Sequence, residues 1–276
     1  MTVTGYWVEL HGSQQRLGGG FLLTRRYVLT ALHCLRGFTA PDERVEIVLA
    51  DGSRLAGQVC QRDQAADLAL IMVLGSNGVK VPIPRSGTAR SGDAWHGPYR
   101  PARTEMHLRG HVDNGAMDYE LESGASIQAL QLTAYQDSGD YSGYSGGPVV
   151  KGAPDDLAPV VVGILLEQAP DRIAPGRAAN VLFAATIGEA MRRFDHFDVE
   201  HLMDVLHPAS SPSRDNGEAK DAKDRTIQAA MTSTELLLKQ IAQWAEDRLL
   251  DPSQVAELKF QAVKTLVEHQ WGGDTA

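Results

Sequence analysis

Three short segments of this sequence carry side chains that can do chemistry together. They are Thr30-Ala31-Leu32-His33-Cys34, Ala66-Asp67-Leu68-Ala69-Leu70 and Gly143-Tyr144-Ser145-Gly146-Gly147-Pro148-Val149. A serine hydroxyl becomes a nucleophile when a neighbouring base accepts its proton. A carboxylate must hold that base in the right tautomer, and backbone N–H groups must face the oxyanion that develops. His33, Asp67 and Ser145 supply the three side chains, and the glycines flanking Ser145 permit the tight turn that gathers N–H groups at one point. Each residue alone has an ordinary reading: a half-buried histidine, a turn aspartate, a serine in a glycine-rich loop. Their joint occurrence is what points to nucleophilic catalysis. Gly143-Tyr144-Ser145-Gly146-Gly147 also satisfies the G-x-S-x-G elbow of the α/β-hydrolases, but that elbow leads into a helix and its histidine follows the serine. Here Pro148-Val149-Val150 reads as a strand, and His196 and His201 fall in a polar stretch.

The elements that must position these residues read as β. Tyr6–Leu10 alternates, Phe21–Leu23 follows three glycines, and Tyr27–Leu32 follows two arginines. Val45–Ala50 and Arg54–Cys60 flank Asp51-Gly52, a two-residue hairpin signal. Leu68–Leu74 is a continuous apolar run of the buried-strand type. Further short runs are His107–Val112, Ser126–Thr133, Pro148–Val150, Pro159–Leu166 and Asn180–Ala185. Many short strands with regular turns predict a sandwich or closed barrels.

The predicted domain spans residues 1–205, with halves at about 1–80 and 81–205. Residues 206–225 are polar, rich in Pro, Ser, Asp and Lys, and read as a flexible linker. Residues 226–272 read as an α-helical hairpin. Thr232 with Glu235 forms a capping box, and Asp251-Pro252-Ser253-Gln254 starts a second helix. Leu237, Ile241, Trp244 and Ala245 fall on one face, which Val255, Leu258, Ala262 and Leu266 continue. Two short helices make a poor core alone, so this element is expected to dock on the β domain, self-associate or bind a protein partner.

Length and composition bound the rest. The chain has 276 residues, 43% hydrophobic and 22% charged, which is ordinary globular usage. No apolar run reaches the roughly 20 residues of a spanning helix, so no membrane role is expected. With 35 acidic and 26 basic side chains the net charge is −9, and no basic patch stands out, which disfavours nucleic acid. Cys34 and Cys60 are the two cysteines, and Met1–Thr4 opens no basic-then-apolar leader. The expectation is two free thiols in a cytoplasmic protein. His107 and His111 are four apart, but Gly110 intervenes and the segment reads as strand and turn; with no helical H-E-x-x-H motif, and no Gly-Lys-Ser/Thr after Gly18-Gly19-Gly20, neither metal nor cofactor is expected.

Taken in order, the three motifs resemble those of the trypsin/chymotrypsin-like serine peptidases, in particular the compact bacterial type. T-A-L-H-C is similar to the family's T-A-A-H-C, D-L-A-L to D-x-A-L, and G-Y-S-G-G-P-V to G-D-S-G-G-P-V. The spacings of 34 and 78 residues suit two small barrels. The resemblance covers about residues 5–195. It implies a mainly β fold of two six-stranded antiparallel barrels, followed here by a short α-helical C-terminal element. It also implies a serine endopeptidase that cleaves a protein or peptide substrate through an acyl-enzyme. Ser145 would be the nucleophile, His33 the base and then acid, Asp67 the orienting carboxylate, and the N–H groups of Gly143 and Ser145 the oxyanion hole. The competing reading is a catalytically silent module of the same fold that acts through its helical tail.

Two departures from the family pattern stand out. Tyr144 replaces the aspartate that pairs with a newly cut amino terminus, so no activation by N-terminal trimming is expected. Cys34 also lacks a partner in Gly18-Gly19-Gly20-Phe21, so the disulfide beside the histidine is absent. By the same resemblance the specificity pocket draws on Gly139, Asp140, Gly163 and Leu165. The plainer reading of Asp137-Ser138-Gly139-Asp140 is a polar turn.

Overall fold

A computed structural model describes residues 5–194, apart from 13–14, 39–43, 76–78, 80, 82, 155, 157 and 175, together with parts of two helices between 238 and 263. The expected 206–225 linker, Leu237, Leu266 and both helix-start motifs lie outside the described residues. Contacts divide the chain into residues 1–194 and 195–276.

The first barrel closes from β1 (Trp7–His11), β2 (Arg16–Leu22), β3 (Tyr27–Ala31), β4 (Arg44–Leu49), β5 (Arg54–Asp63) and β6 (Leu68–Val73), in the order β1-β2-β3-β6-β5-β4. The alternation in β1 buries Val8 and Leu10, as one inward face requires. β6 is buried along almost its whole length, which explains its unbroken apolar run. At the Asp51-Gly52 turn Gly52 takes a φ of +85°, and the Asp51 carboxylate accepts the Ser53 N–H at 2.8 Å. Thr24 closes the β2–β3 turn by accepting the N–H groups of Arg26 and Tyr27, each at 3.0 Å.

The second barrel contains β8 (Ala94–Gly97), β9 (Leu108–Glu120), β10 (Ser126–Ala134), β11 (Pro148–Lys151), β12 (Val160–Pro170) and β13 (Ala178–Thr186). The order is β11-β8-β9-β10-β13-β12, the β11–β12 pairing closes the ring, and β7 (Arg85–Ser86) adds in parallel to β12. Trp95, Leu108, Leu130, Tyr144, Val149 and Leu182 belong to its core. The strand boundaries differ from the sequence reading in two instructive places. The three glycines lie inside β2 rather than before it. β9 runs to Glu120, where its outer half alternates half-buried and exposed beyond the barrel. The short helix α1 (Ile187–Arg193) ends this unit. Thr186 caps it by accepting the Glu189 N–H at 3.0 Å.

In the second unit, residues 238–246 and 255–263 are helical wherever described. Ile241, Trp244, Leu258 and Ala262 are buried while Phe260 and Val263 are exposed, so the burial follows a helical period. No helix among the described residues is long and apolar enough to cross a membrane.

Candidate active site

A short 3-10 turn, Leu32–Leu35, leaves β3 and carries His33. Asp67 stands just before β6, the strand paired with β3. Three hydrogen bonds lock the two together. The Asp67 backbone oxygen accepts the Leu32 N–H at 2.8 Å. One carboxylate oxygen accepts the His33 backbone N–H at 2.9 Å, and the other lies 2.5 Å from His33 Nδ1. Asp67 adopts a φ of +54°, a left-handed conformation that aspartate tolerates better than most side chains. That turn aims its carboxylate back at His33.

Ser145 comes from the other barrel, on the loop before β11, and the first barrel grips that loop by its backbone. The Ser145 carbonyl accepts the Gly19 N–H at 3.0 Å and the Cys34 thiol at 3.6 Å. The glycines of β2 make this close approach possible. A Cβ at Gly18 would lie 2.5 Å from Cys34 Sγ, and one at Gly19 would lie 2.6 Å from the Tyr99 ring. Gly18 therefore occupies the place beside Cys34 where the family's disulfide partner was expected to be missing. Cys34 and Cys60 are both free thiols.

His33, Asp67 and Ser145 line one cavity of about 290 Å³. Ser145 Oγ donates to the Leu166 carbonyl at 3.3 Å rather than to His33. Gly143 has a φ of +88°. Among the described residues, neither its N–H nor that of Ser145 meets a protein acceptor, while the next two N–H groups bond Leu165 O and Tyr144 O. These two donors, on either side of Tyr144, whose own N–H bonds Tyr141 O, are thus left available. Arg16 holds the Gly143 carbonyl at 3.0 Å and also donates to the Pro101 carbonyl.

Of the expected pocket residues, Leu165 lines the cavity and Gly139, Asp140 and Gly163 do not. The Asp140 carboxylate accepts the Ser142 N–H and hydroxyl, at 2.8 and 2.6 Å. Asp137 pairs with Arg177. The cavity wall instead contains Tyr141, Leu166, Glu167 and Gln168, with Glu122 and Arg36 at its edges. Glu167 is held by the Tyr119 hydroxyl at 2.9 Å and by the Glu122 N–H at 3.3 Å. The sequence reading ended this strand at Leu166, so neither the place of Glu167 in β12 nor its contact with the outer β9–β10 hairpin was legible. Among the described residues no cluster could hold a metal ion.

Burial disfavours the His33 imidazolium, but hydrogen bonding to Asp67, with Cys34 adding to it, overcomes that penalty and pushes the pKa up to about 10 from an ordinary 6.5. A protonated ring has no lone pair for the Ser145 hydroxyl, which agrees with the hydroxyl donating to Leu166 O. The consequence has a definite sign. If His33 acts as a base, hydrolysis should rise with pH on a limb displaced upward from 6.5 toward 10. The stabilisation from the charged pair should be full below about 6.5 and fade as pH rises through about 10. A pH–rate profile of kcat/KM with its acidic limb at or below 6.5 would contradict this assignment.

Two antiparallel barrels with a His–Asp pair on one and a serine loop clamped against it from the other define a chymotrypsin-type architecture. The chain belongs to the trypsin-like peptidase domain family, whose profile matches residues 18–157. Among solved structures it is similar to the HtrA-type protease AlgW with decapeptide, at 17% identity and a TM-score of 0.52, over 74% of this chain and 65% of that one. It is also similar to the MamO protease domain from Magnetospirillum magneticum (apo form), at 20% identity and a TM-score of 0.51, over 70% of this chain and 98% of that one. At such identities the likeness concerns the fold. No curated protein sequence matches the chain.

Proposed function

We propose that this peptidase-family chain is a serine endopeptidase in which Ser145, His33 and Asp67 act as nucleophile, base and orienting carboxylate. The observation that carries the reading is the Asp67 carboxylate bonded to both the backbone N–H and the ring of His33, in one cavity with Ser145. In this mechanism the Ser145 hydroxyl rotates away from Leu166 O and gives its proton to Nε2 of neutral His33 while Oγ attacks the scissile carbonyl carbon. The N–H groups of Gly143 and Ser145 receive the oxyanion. Collapse breaks the C–N bond, and the imidazolium protonates the leaving amine. Water, deprotonated by His33, then attacks the acyl-Ser145 ester and releases the new carboxylate. Free thiols at Cys34 and Cys60 support a reducing, cytoplasmic setting.

The silent-module reading draws on the resting Ser145–Leu166 hydrogen bond. The two readings separate in one assay. An unfolded protein substrate is incubated with the full chain, and new peptide termini are identified by mass spectrometry. Discrete internal cuts that disappear with Ser145→Ala support the endopeptidase. No cuts above the Ser145→Ala background at pH 7 to 10 would overturn it.

A further inference from the structure

A second, larger cavity opens away from His33. It measures about 1200 Å³ and lies between the barrels, with β1 and the β4–β5 turn on one side and β8, the 98–107 loop and the start of β9 on the other. Its two walls differ in charge. Glu9 and Asp51 stand on the first-barrel wall as its acidic groups: Glu9 contacts His11 at 3.3 Å, and Asp51 accepts the Ser53 hydroxyl at 2.6 Å, which favours its ionised form. Arg100, Arg103 and Arg109 stand on the opposite wall. Among the described residues none of the three has a carboxylate within ion-pair distance, a state shared by Arg36, Arg62, Arg85 and Arg90 elsewhere on the chain. Arg100 donates to the Arg103 and Glu105 carbonyls, which shapes the loop, and Arg103 and Arg109 are exposed. His107, beside them, is held below the ordinary histidine range by burial, with Arg100 adding to the effect, so the arginines carry the charge at neutral pH.

Three arginines without an ion pair on one wall of a cleft are unexpected on a chain of net charge −9. The sequence gives no sign of them because they are spread over ten positions and meet only through the loop. Their planar forks suit carboxylates, which they can engage in paired hydrogen bonds. The cleft is also joined to the catalytic loop. The Tyr144 hydroxyl donates to the Met106 carbonyl at 2.6 Å, and Arg16 bridges the Pro101 and Gly143 carbonyls. The loop that carries Arg100 and Arg103 is thus fastened to the loop that carries Ser145.

We propose that this cleft is a second binding site that takes an acidic segment of the protein substrate, beyond the residues that occupy the Ser145 cavity. The identity of the occupant as substrate rests on the peptidase reading; the preference for an acidic peptide does not. The test uses the full chain carrying Ser145→Ala, so that nothing is consumed. A fluorescein-labelled peptide rich in Asp and Glu is titrated by anisotropy against its Asn/Gln counterpart and against a single-stranded oligonucleotide. The acidic peptide should bind most tightly, and the double substitution Arg103→Glu with Arg109→Glu should raise its Kd by about tenfold or more. Both side chains are exposed, and Arg103→Gln with Arg109→Gln gives a milder version if the reversal disturbs folding. Equal binding of the acidic and amide peptides, an unchanged Kd in both double variants, or tighter binding of the oligonucleotide would overturn the proposal. Covalent labelling of wild-type Ser145 is read separately. A chain that labels but does not bind the acidic peptide loses this inference alone, and one that binds but does not label loses the peptidase reading.

Discussion

Asp67→Asn is expected to leave the fold intact and to lower peptide hydrolysis about 10⁴-fold. Asparagine tolerates the left-handed backbone that Asp67 adopts at φ +54°. Its amide oxygen can still accept the His33 backbone N–H, now made at 2.9 Å. What it cannot do at the same time is present a second acceptor to Nδ1. The ring would then favour the wrong tautomer, and the imidazolium formed during attack would lose its counter-charge. Flipping the amide only exchanges one lost bond for the other. The loss should fall on kcat with little change in KM, because Asp67 acts on the transition state through His33. A second signature follows from the raised His33 pKa. Without the carboxylate, burial is left as the dominant influence, so residual activity should show its acidic limb at lower pH than wild type. A variant retaining more than a tenth of wild-type kcat/KM would remove Asp67 from the catalytic account.

Gly146→Ala should produce the largest loss of stability among single substitutions near the site, about 3–5 kcal/mol, read as a fall of about 10 °C in Tm. Gly146 has a φ of +80°, where an L side chain is strained. An added Cβ would press directly on the Gly19 carbonyl, 2.8 Å from Thr30 Oγ1 and 3.0 Å from the Gly19 carbonyl carbon. Those atoms have little freedom to yield, since Thr30 Oγ1 donates to the Gly19 carbonyl at 2.7 Å. Relief therefore requires the serine loop and β2 to part, which breaks the grip of the first barrel on Ser145. Gly37→Ala is the control. Nothing lies within 4 Å of its added Cβ, so Tm should stay nearly unchanged. Equal melting temperatures for the two variants would refute the packing described for the barrel junction.

These two substitutions also show which features could be read from the chain. The His33–Asp67 relation is announced by compact motifs, because each residue sits at a strand end whose neighbours are apolar and β-forming. Its geometry depends on β3 pairing with β6, and the unbroken apolar run of β6 made that strand visible. The glycines of β2 were harder. Glycine is a poor strand former, so Gly18-Gly19-Gly20 reads as a strand entry. The structure places them inside the strand, with the partners that need the space, Tyr99 and the serine loop, supplied by the second barrel. β8, with the sequence Ala94-Trp95-His96-Gly97, has neither alternation nor an apolar run, and exists because β9 and β11 flank it. The outer half of β9 contains Asp113-Asn114-Gly115, a turn signal by composition, yet it stays extended through its register with β10. The specificity wall was least legible. Glu122, Glu167 and Tyr119 meet only through strand packing, while Gly139 and Asp140, which the family resemblance implied, lie in a turn outside the cavity.

A Ser145 nucleophile activated by His33 should react with a fluorophosphonate probe. Labelling is read by intact mass for wild type, Ser145→Ala and His33→Ala across pH 7 to 10. Wild type should carry a single adduct, formed faster as pH rises, with none on Ser145→Ala and at most a trace on His33→Ala. Labelling that survives Ser145→Ala, or is absent from wild type throughout that range, would contradict this role for Ser145.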